Sequence, residues 1–451
     1  MAAEAGARGT GSGAGGGFSG EQLDAIGSYT ARYREGIGEP LRLGPRGGLF
    51  RPGLRSRRLS LVNAFCVLVA AFGAVGGGWL LATNLLGRYE IDAACDGLVP
   101  AGLVLALPES EGRISAPGDT LEVDGSGCGL FSDLAGDGSG RRYFFRAAAG
   151  TARTARPSPE DPEAYLVARD LSSGRPGEAD TPGPQPLGGP VDGVVTDAAV
   201  TVRLPCREGR LKGSPVKSLW AKAEIPRLRS DGPLTARDRH LLARTAVGTV
   251  NNLAERAHCG RGWEEPAEGL PADPPRSPQP AARAEGTCAF ARPFARRADF
   301  PERAFPAHAD KAVSEERCLL GMGPERAGDL RYEAVHRGDY DRDFPAGPFW
   351  AALHTYYGDL ADSVEFWDGD GSASAPRGTA GRGRTAVWWA SSECRDGGHA
   401  VHTLSLDHLY AKSVTPAWAR YFRAYVKDVA QRRGCDHLVF PGAEDFRPPK
   451  R

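Results

Sequence analysis

Eight cysteines beyond residue 90 constrain this chain more than any other feature. Cys95, Cys128, Cys206 and Cys259 are separated by gaps of 33, 78 and 53 residues. Cys288, Cys318, Cys394 and Cys435 are separated by gaps of 30, 76 and 41. The same short, long, medium rhythm occurs twice. An even number of cysteines reads as a disulfide framework where the surroundings are oxidising. The repeated rhythm predicts bonds inside each set: Cys95–Cys128, Cys206–Cys259, Cys288–Cys318 and Cys394–Cys435. Loops of these lengths stabilise by about 3–4 kcal/mol per bond in the chain-entropy view. No CxxC occurs, so zinc ribbons and thioredoxin-like sites have no support.

The sequence around the cysteines repeats as well. Strand-like runs AVTVRLPC (199–206) and TAVWWASSEC (385–394) each carry the third cysteine of a set. Alternating stretches follow, SLWAKAEIPRL and HAVHTLSLDHLY. Each half then shows a helical pattern that ends at the fourth cysteine. In the first, Thr235 fits the N-cap, and Leu242, Ala246, Val250, Leu253 and Ala257 form the apolar stripe. In the second, Thr415 fits the cap, Pro416 the first helical position, and Trp418, Phe422, Tyr425, Val426 and Val429 the stripe. The prediction is two tandem, related, disulfide-stapled α+β modules, at 88–263 and 287–445. The Pro-rich stretch 264–286 reads as the linker between them.

Ahead of the modules, Leu59 to Gly87 contains no charged residue. About 20 apolar residues suffice for a transmembrane helix, so 59–87 is expected to be one. Six arginines precede it (Arg42, Arg46, Arg51, Arg55, Arg57 and Arg58), whereas Arg88, Glu90 and Asp92 follow it. The positive-inside rule then predicts a single-pass protein of the cell membrane. Its N-terminus would be cytoplasmic and its C-terminal part extracytoplasmic. Residues 1–58 read as a disordered basic cytoplasmic tail. Gly73 and Gly77 form a GxxxG that would permit a homodimer, although glycine is common in such helices. Cys66 reads as a small apolar packer.

Chemistry is sparse. Lys plus Arg and Asp plus Glu both number 56, which excludes a general nucleic-acid binder. There is no HExxH, GxSxG, P-loop or dinucleotide fingerprint. His399, His402 and His408 are close in sequence, but 399 and 402 would point to opposite faces of a strand. Asp368 and Asp370, like Asp133 and Asp137 in DLAGDGSG, lack the later ligands of a calcium loop, and the turn chemistry of Asp-Gly pairs explains both segments. Asp339, Asp341 and Asp343 read as a solvated acidic stretch. No catalytic residue, metal ligand or cofactor is expected. An aromatic run (Phe349, Trp350, His354, Tyr356, Tyr357, Phe366 and Trp367) is mainly core material. Trp350 and Trp367 are its candidates for a ligand surface.

The layout resembles single-pass, disulfide-containing envelope membrane proteins of the high-GC Gram-positive, actinobacterial type. The apolar run 59–87, the stretch CDGLVPAGLV after it and the helix end QRRGCDHLVFP carry the resemblance. It implies topology and transfers no catalytic residues. The expected function is a non-catalytic envelope binding or interaction module. Its partners would be the lipid bilayer and another envelope protein or a cell-wall component, with no nucleic acid. An exported hydrolase-type enzyme and a transmembrane sensor are the alternatives.

Overall fold

The computed structural model describes residues 57–108, 110, 112–116, 124–133, 141–151, 185–196, 198–226, 234–266, 278–336, 349–367, 372–383, 386–395 and 398–447. The chain divides into two compact units, Met1–Val75 and Gly76–Arg451. The expected tail, the acidic stretch 339–343, Asp137, Asp368 and Asp370 lie outside the described residues.

Helix α1 runs from Arg57 to Ala94. Among the described residues, no helix is long and apolar enough to cross a membrane. The expected transmembrane helix at 59–87 is therefore corrected. The single-pass location, with a cytoplasmic N-terminus and an extracytoplasmic C-terminal part, is corrected with it. Gly73, Gly76, Gly77 and Gly78 bring no apolar side chain to the middle of the run. The last turns of the helix are protein core, with Ile91 and Ala94 buried. A Cβ on Gly87 would touch the side chains of Leu105 and Ile114. Phe65, Val67, Leu68, Val69 and Phe72 are exposed, as is Cys66, a free thiol.

The first core follows. After the short helix α2 (Ala101–Val104) come strands β1 (Arg113–Ser115), β2 (Asp124–Asp133), β3 (Arg141–Thr151), β4 (Gln185–Pro186), β5 (Asp192–Val195), β6 (Ala199–Leu211) and β7 (Ser214–Glu224). They form an antiparallel sheet in the order β1-β2-β3-β7-β6-β5-β4. In β7, Leu219, Ala221 and Ala223 point inward at the two-residue period of a half-covered strand. Helix α3 (Ala236–Arg256) covers β6, β7 and β3. Thr235 and Asp238 form a reciprocal capping box at its start. Its whole expected stripe, Leu242 to Ala257, is buried.

The second sheet uses β8 (Gln279–Pro280), β9 (Arg303–Pro306), β10 (Glu315–Gly321), β11 (Trp350–Tyr357), β14 (Gly381–Arg382), β15 (Val387–Cys394), β16 (Gly398–Leu406) and β17 (Cys435–Val439). Strands β12 (Glu365–Trp367) and β13 (Ser372–Ser374) form a separate two-stranded sheet. The main order is β14-β15-β16-β11-β10-β9-β8, with β17 also paired to β15. Helix α4 (Pro324–His336) lies between β10 and β11 in the chain, and helix α5 (His408–Arg433) packs on β11, β15 and β16. This core begins at Ala281, inside the stretch expected as linker. Gln279–Pro280 is an edge strand there, a place where proline's missing N–H is tolerated. Helix α5 also starts earlier than expected. Asp407 accepts from the Tyr410 N–H at 3.2 Å, and Pro416 falls inside the helix instead of opening it.

Setting aside β4 and β8, at one end of each sheet, the sheets have matching orders: β1-β2-β3-β7-β6-β5 and β9-β10-β11-β16-β15-β14. The four disulfides are Cys95–Cys128, Cys206–Cys259, Cys288–Cys318 and Cys394–Cys435. These are the pairs that the spacing predicts. The second cysteines, Cys128 and Cys318, lie on the matching strands β2 and β10. Cys206 and Cys394 lie on the matching strands β6 and β15, each bonded to a cysteine just beyond the covering helix.

Candidate functional site

The two sheets meet along one edge of the first. The loop ahead of β10 runs beside β4, β5 and β6. The His308 amide donates to Gln185 Oε1 at 3.0 Å, and the Ser314 amide to Asp192 Oδ1 at 2.8 Å. Arg203 Nη2 on β6 meets Glu315 Oε2 at 2.8 Å. Beside these contacts lies a cleft of about 430 Å³. The first sheet lends it Asp192, Arg203 and Trp220, and Trp263 comes from the chain after α3. The far side has Lys311, Ser314, Tyr357, Asp359, Cys394 and Arg433.

Both indoles are held by their polar edges. Trp220 donates to the Thr151 carbonyl at 2.9 Å, and Trp263 to the Arg203 carbonyl at 2.6 Å. Asn251 on α3 fixes the Trp263 backbone twice. Its Nδ2 donates to the Trp263 carbonyl at 2.8 Å and its Oδ1 accepts from the amide at 2.9 Å. Such preorganisation reduces the cost of ordering a site around a ligand.

The opposite wall is an arginine clamp. Arg433, at the end of α5, donates to Glu316 Oε1 at 2.8 Å and to the Lys311 and Val313 carbonyls at 2.7 and 2.5 Å. Its guanidinium lies 4.0 Å from the Tyr357 ring centre. Arg432 takes the other Glu316 oxygen at 2.8 Å. Burial pushes the Tyr357 hydroxyl well above its ordinary pKa, with the charge of Glu316 adding to the effect. Burial also raises the Asp192 carboxyl, against the pull of Arg203 and of the hydrogen bond from the Ser314 amide.

The residues singled out by sequence lie elsewhere. Trp350 is 9 % exposed and packs with Phe305, Leu319 and Ala352. Trp367 ends β12 and pairs with Ser372, in a different sheet from Trp350. The surrounding aromatics Phe349, Tyr356, Tyr357 and Phe366 are buried. Of the described side chains of that run, Tyr357 alone reaches the cleft. Gly73 and Gly77 have open space around them. Among the described residues, no cluster of three metal-ligating side chains occurs.

His402 sits in a buried chain of hydrogen bonds. Its Nε2 is 2.8 Å from Ser392 Oγ and its Nδ1 is 2.9 Å from Thr355 Oγ1, which also meets the Tyr425 hydroxyl at 2.9 Å. The order hydroxyl, imidazole, orienting group is that of an activated nucleophile. Ser392 and His402 are both fully enclosed, however, and no substrate reaches Ser392 as it stands. Burial depresses the His402 pKa to about 3, so the ring is neutral at ordinary pH. The chain of hydrogen bonds satisfies buried polar groups between β11, β15, β16 and α5.

No family model, curated protein or solved structure matches this chain. The cleft is therefore read from its own chemistry. Its lining comes from six elements and the loops between them, so no local motif could mark it. One faint signal existed: Trp220 and Trp263 are the only tryptophans between residues 88 and 263.

Proposed function

We propose that this chain is a non-catalytic binding protein whose ligand occupies the cleft between the two sheets. The observation that carries this reading is the cleft itself. At about 430 Å³ it lies within the size range of small-molecule sites. It combines two anchored indoles with a few charged groups, the composition such sites favour. Arg433 is spent on a carboxylate and carbonyls, whereas Arg203 pairs with Glu315 through Nη2 alone and keeps Nε and Nη1 without partners among the described residues, so the polar groups of the cleft orient a ligand. A soluble cell-wall component or the exposed end of another protein fits this description better than nucleic acid, because the chain has no basic excess.

A thermal-shift screen of the full chain tests this, using small polar compounds and soluble cell-wall fragments. A ligand at a hundred times its Kd adds about 2.7 kcal/mol to stability. The expected result is a compound that raises the melting temperature of the wild type and not of a Trp220→Ala, Trp263→Ala double variant. Compounds that act equally on both proteins, or a screen without hits, sink the reading.

The two halves are also read as copies of one ancestral module. Matching strand order, matching disulfide positions and a helix after the last sheet hairpin support this. The expected superposition puts α3 and α5 on the same face of their matched sheets. Helices on opposite faces would rule it out.

A further inference from the structure

We infer that the cleft takes a small organic cation, a primary amine on a flat apolar body, with its ammonium at Asp192 and its body against Trp220 and Trp263. This rests on the cleft being the binding site. The balance of charges carries it. Five charged side chains line the cleft: Asp192, Asp359, Arg203, Lys311 and Arg433. Arg433 and Arg432 share Glu316, and Asp428 also pairs with Arg432, so these two arginines and two carboxylates balance, and Arg433 spends its remaining donors on carbonyls. Lys311 and Asp359 offset one another in count. Arg203 pairs with Glu315 and is also the cross-strand partner of Asp192, drawing its carboxyl pKa down, while Glu315 pushes it up. Two carboxylates therefore share one guanidinium, and one negative charge is left over. Among the described residues, only the Ser314 amide donates a hydrogen bond to Asp192.

A half-buried surplus carboxylate calls for a cation that brings its own donors. The aromatic neighbours suit the same guest. Both indole N–H groups are committed to backbone carbonyls, so the rings meet a ligand through their π systems, which attract cations. A calcium ion fits poorly, because it takes six to eight oxygens and only two carboxylates line the cleft. A proton is the competing cation, and burial already favours it at Asp192. The groups facing Asp192 are Arg203 from β6 and Ser314 and Glu315 from the start of β10. Lys311, Asp359 and Arg433 share the cleft.

Isothermal titration of the full chain with benzylamine, benzyl alcohol and benzoate decides it. Benzylamine is expected to bind saturably near neutral pH, roughly tenfold more tightly than either analogue. Asp192→Asn should remove that preference and leave benzyl alcohol unchanged. Because this variant could disturb the Ser314 contact, the wild type supplies a second measurement. Its affinity for benzylamine should fall as pH drops and Asp192 is protonated, while that for benzyl alcohol stays level. Equal binding of the three probes overturns the cation assignment and leaves the cleft reading intact. So does displacement of benzylamine by potassium chloride at matched ionic strength, or a benzylamine affinity that ignores pH. If no probe binds and the thermal-shift screen is also empty, both readings fall.

Discussion

Glu316 is the residue whose environment leaves least room for change. Its side chain is 1 % exposed and lies between Arg432 and Arg433, both at 2.8 Å. Removing one partner from a buried pair strands the others without compensation. Glu316→Gln should therefore cost about 3–5 kcal/mol in urea denaturation, and a loss below 1 kcal/mol would show the pair to be solvated. His402 makes a different prediction. Its pKa is about 3 in the fold against 6.5 for the free side chain. The unfolded chain thus binds the extra proton between those values. The stability contributed by neutral His402 is complete above about pH 6.5 and is lost as pH falls towards 3, by up to about 1.4 kcal/mol per pH unit. Comparing the wild type with His402→Gln across that window isolates the effect. Parallel pH curves would contradict it. Neither environment was legible beforehand. Glu316 is unremarkable in sequence, and its partners lie more than a hundred residues away.

At the scale of elements, the third helix followed its sequence and the fifth did not. Thr235 and Asp238 cap α3 where the pattern placed them, because a capping box is made by residues three apart. In α5 the same local logic, with Thr415 as cap and Pro416 next, was overruled. Asp407 supplies an earlier cap, and Tyr410 and Ala411 bury against the second core. Burial of those side chains offsets the hydrogen bond that Pro416 removes. Pro416→Ala should then raise stability by about 2 kcal/mol. An unchanged urea midpoint would mean that the helix gains nothing from the residues before 416. In α3, Gly248 faces Pro100, whose Cγ would lie 2.5 Å from an added Cβ. Alanine is the better helix former by about 1 kcal/mol, yet Gly248→Ala should lower the melting temperature because the contact is already full. A rise would show that the α2 segment can move aside.

For the whole molecule, the disulfides tie each covering helix to its own sheet, and none joins the two cores. Replacing Cys206 and Cys259 together by serine should cost about 3–4 kcal/mol and leave the second core's melting unaltered. A bond between the two sets in non-reducing peptide mapping would contradict the structure. The cysteine rhythm, the two α+β halves and most helix stripes could be read from the chain, because spacing and periodicity are local quantities that burial then preserves. The apolar run before the modules was legible only as composition. Among the described residues no helix is long and apolar enough to cross a membrane, and the last turns of this run fold into the first core. The cleft was decided by tertiary structure alone. It exists where β5 and β6 meet the loop before β10, so Asp192, Arg203, Trp263 and Arg433 become neighbours across more than 200 residues. Charge balance at such a place is a sum over separate elements, and no window of sequence contains that sum.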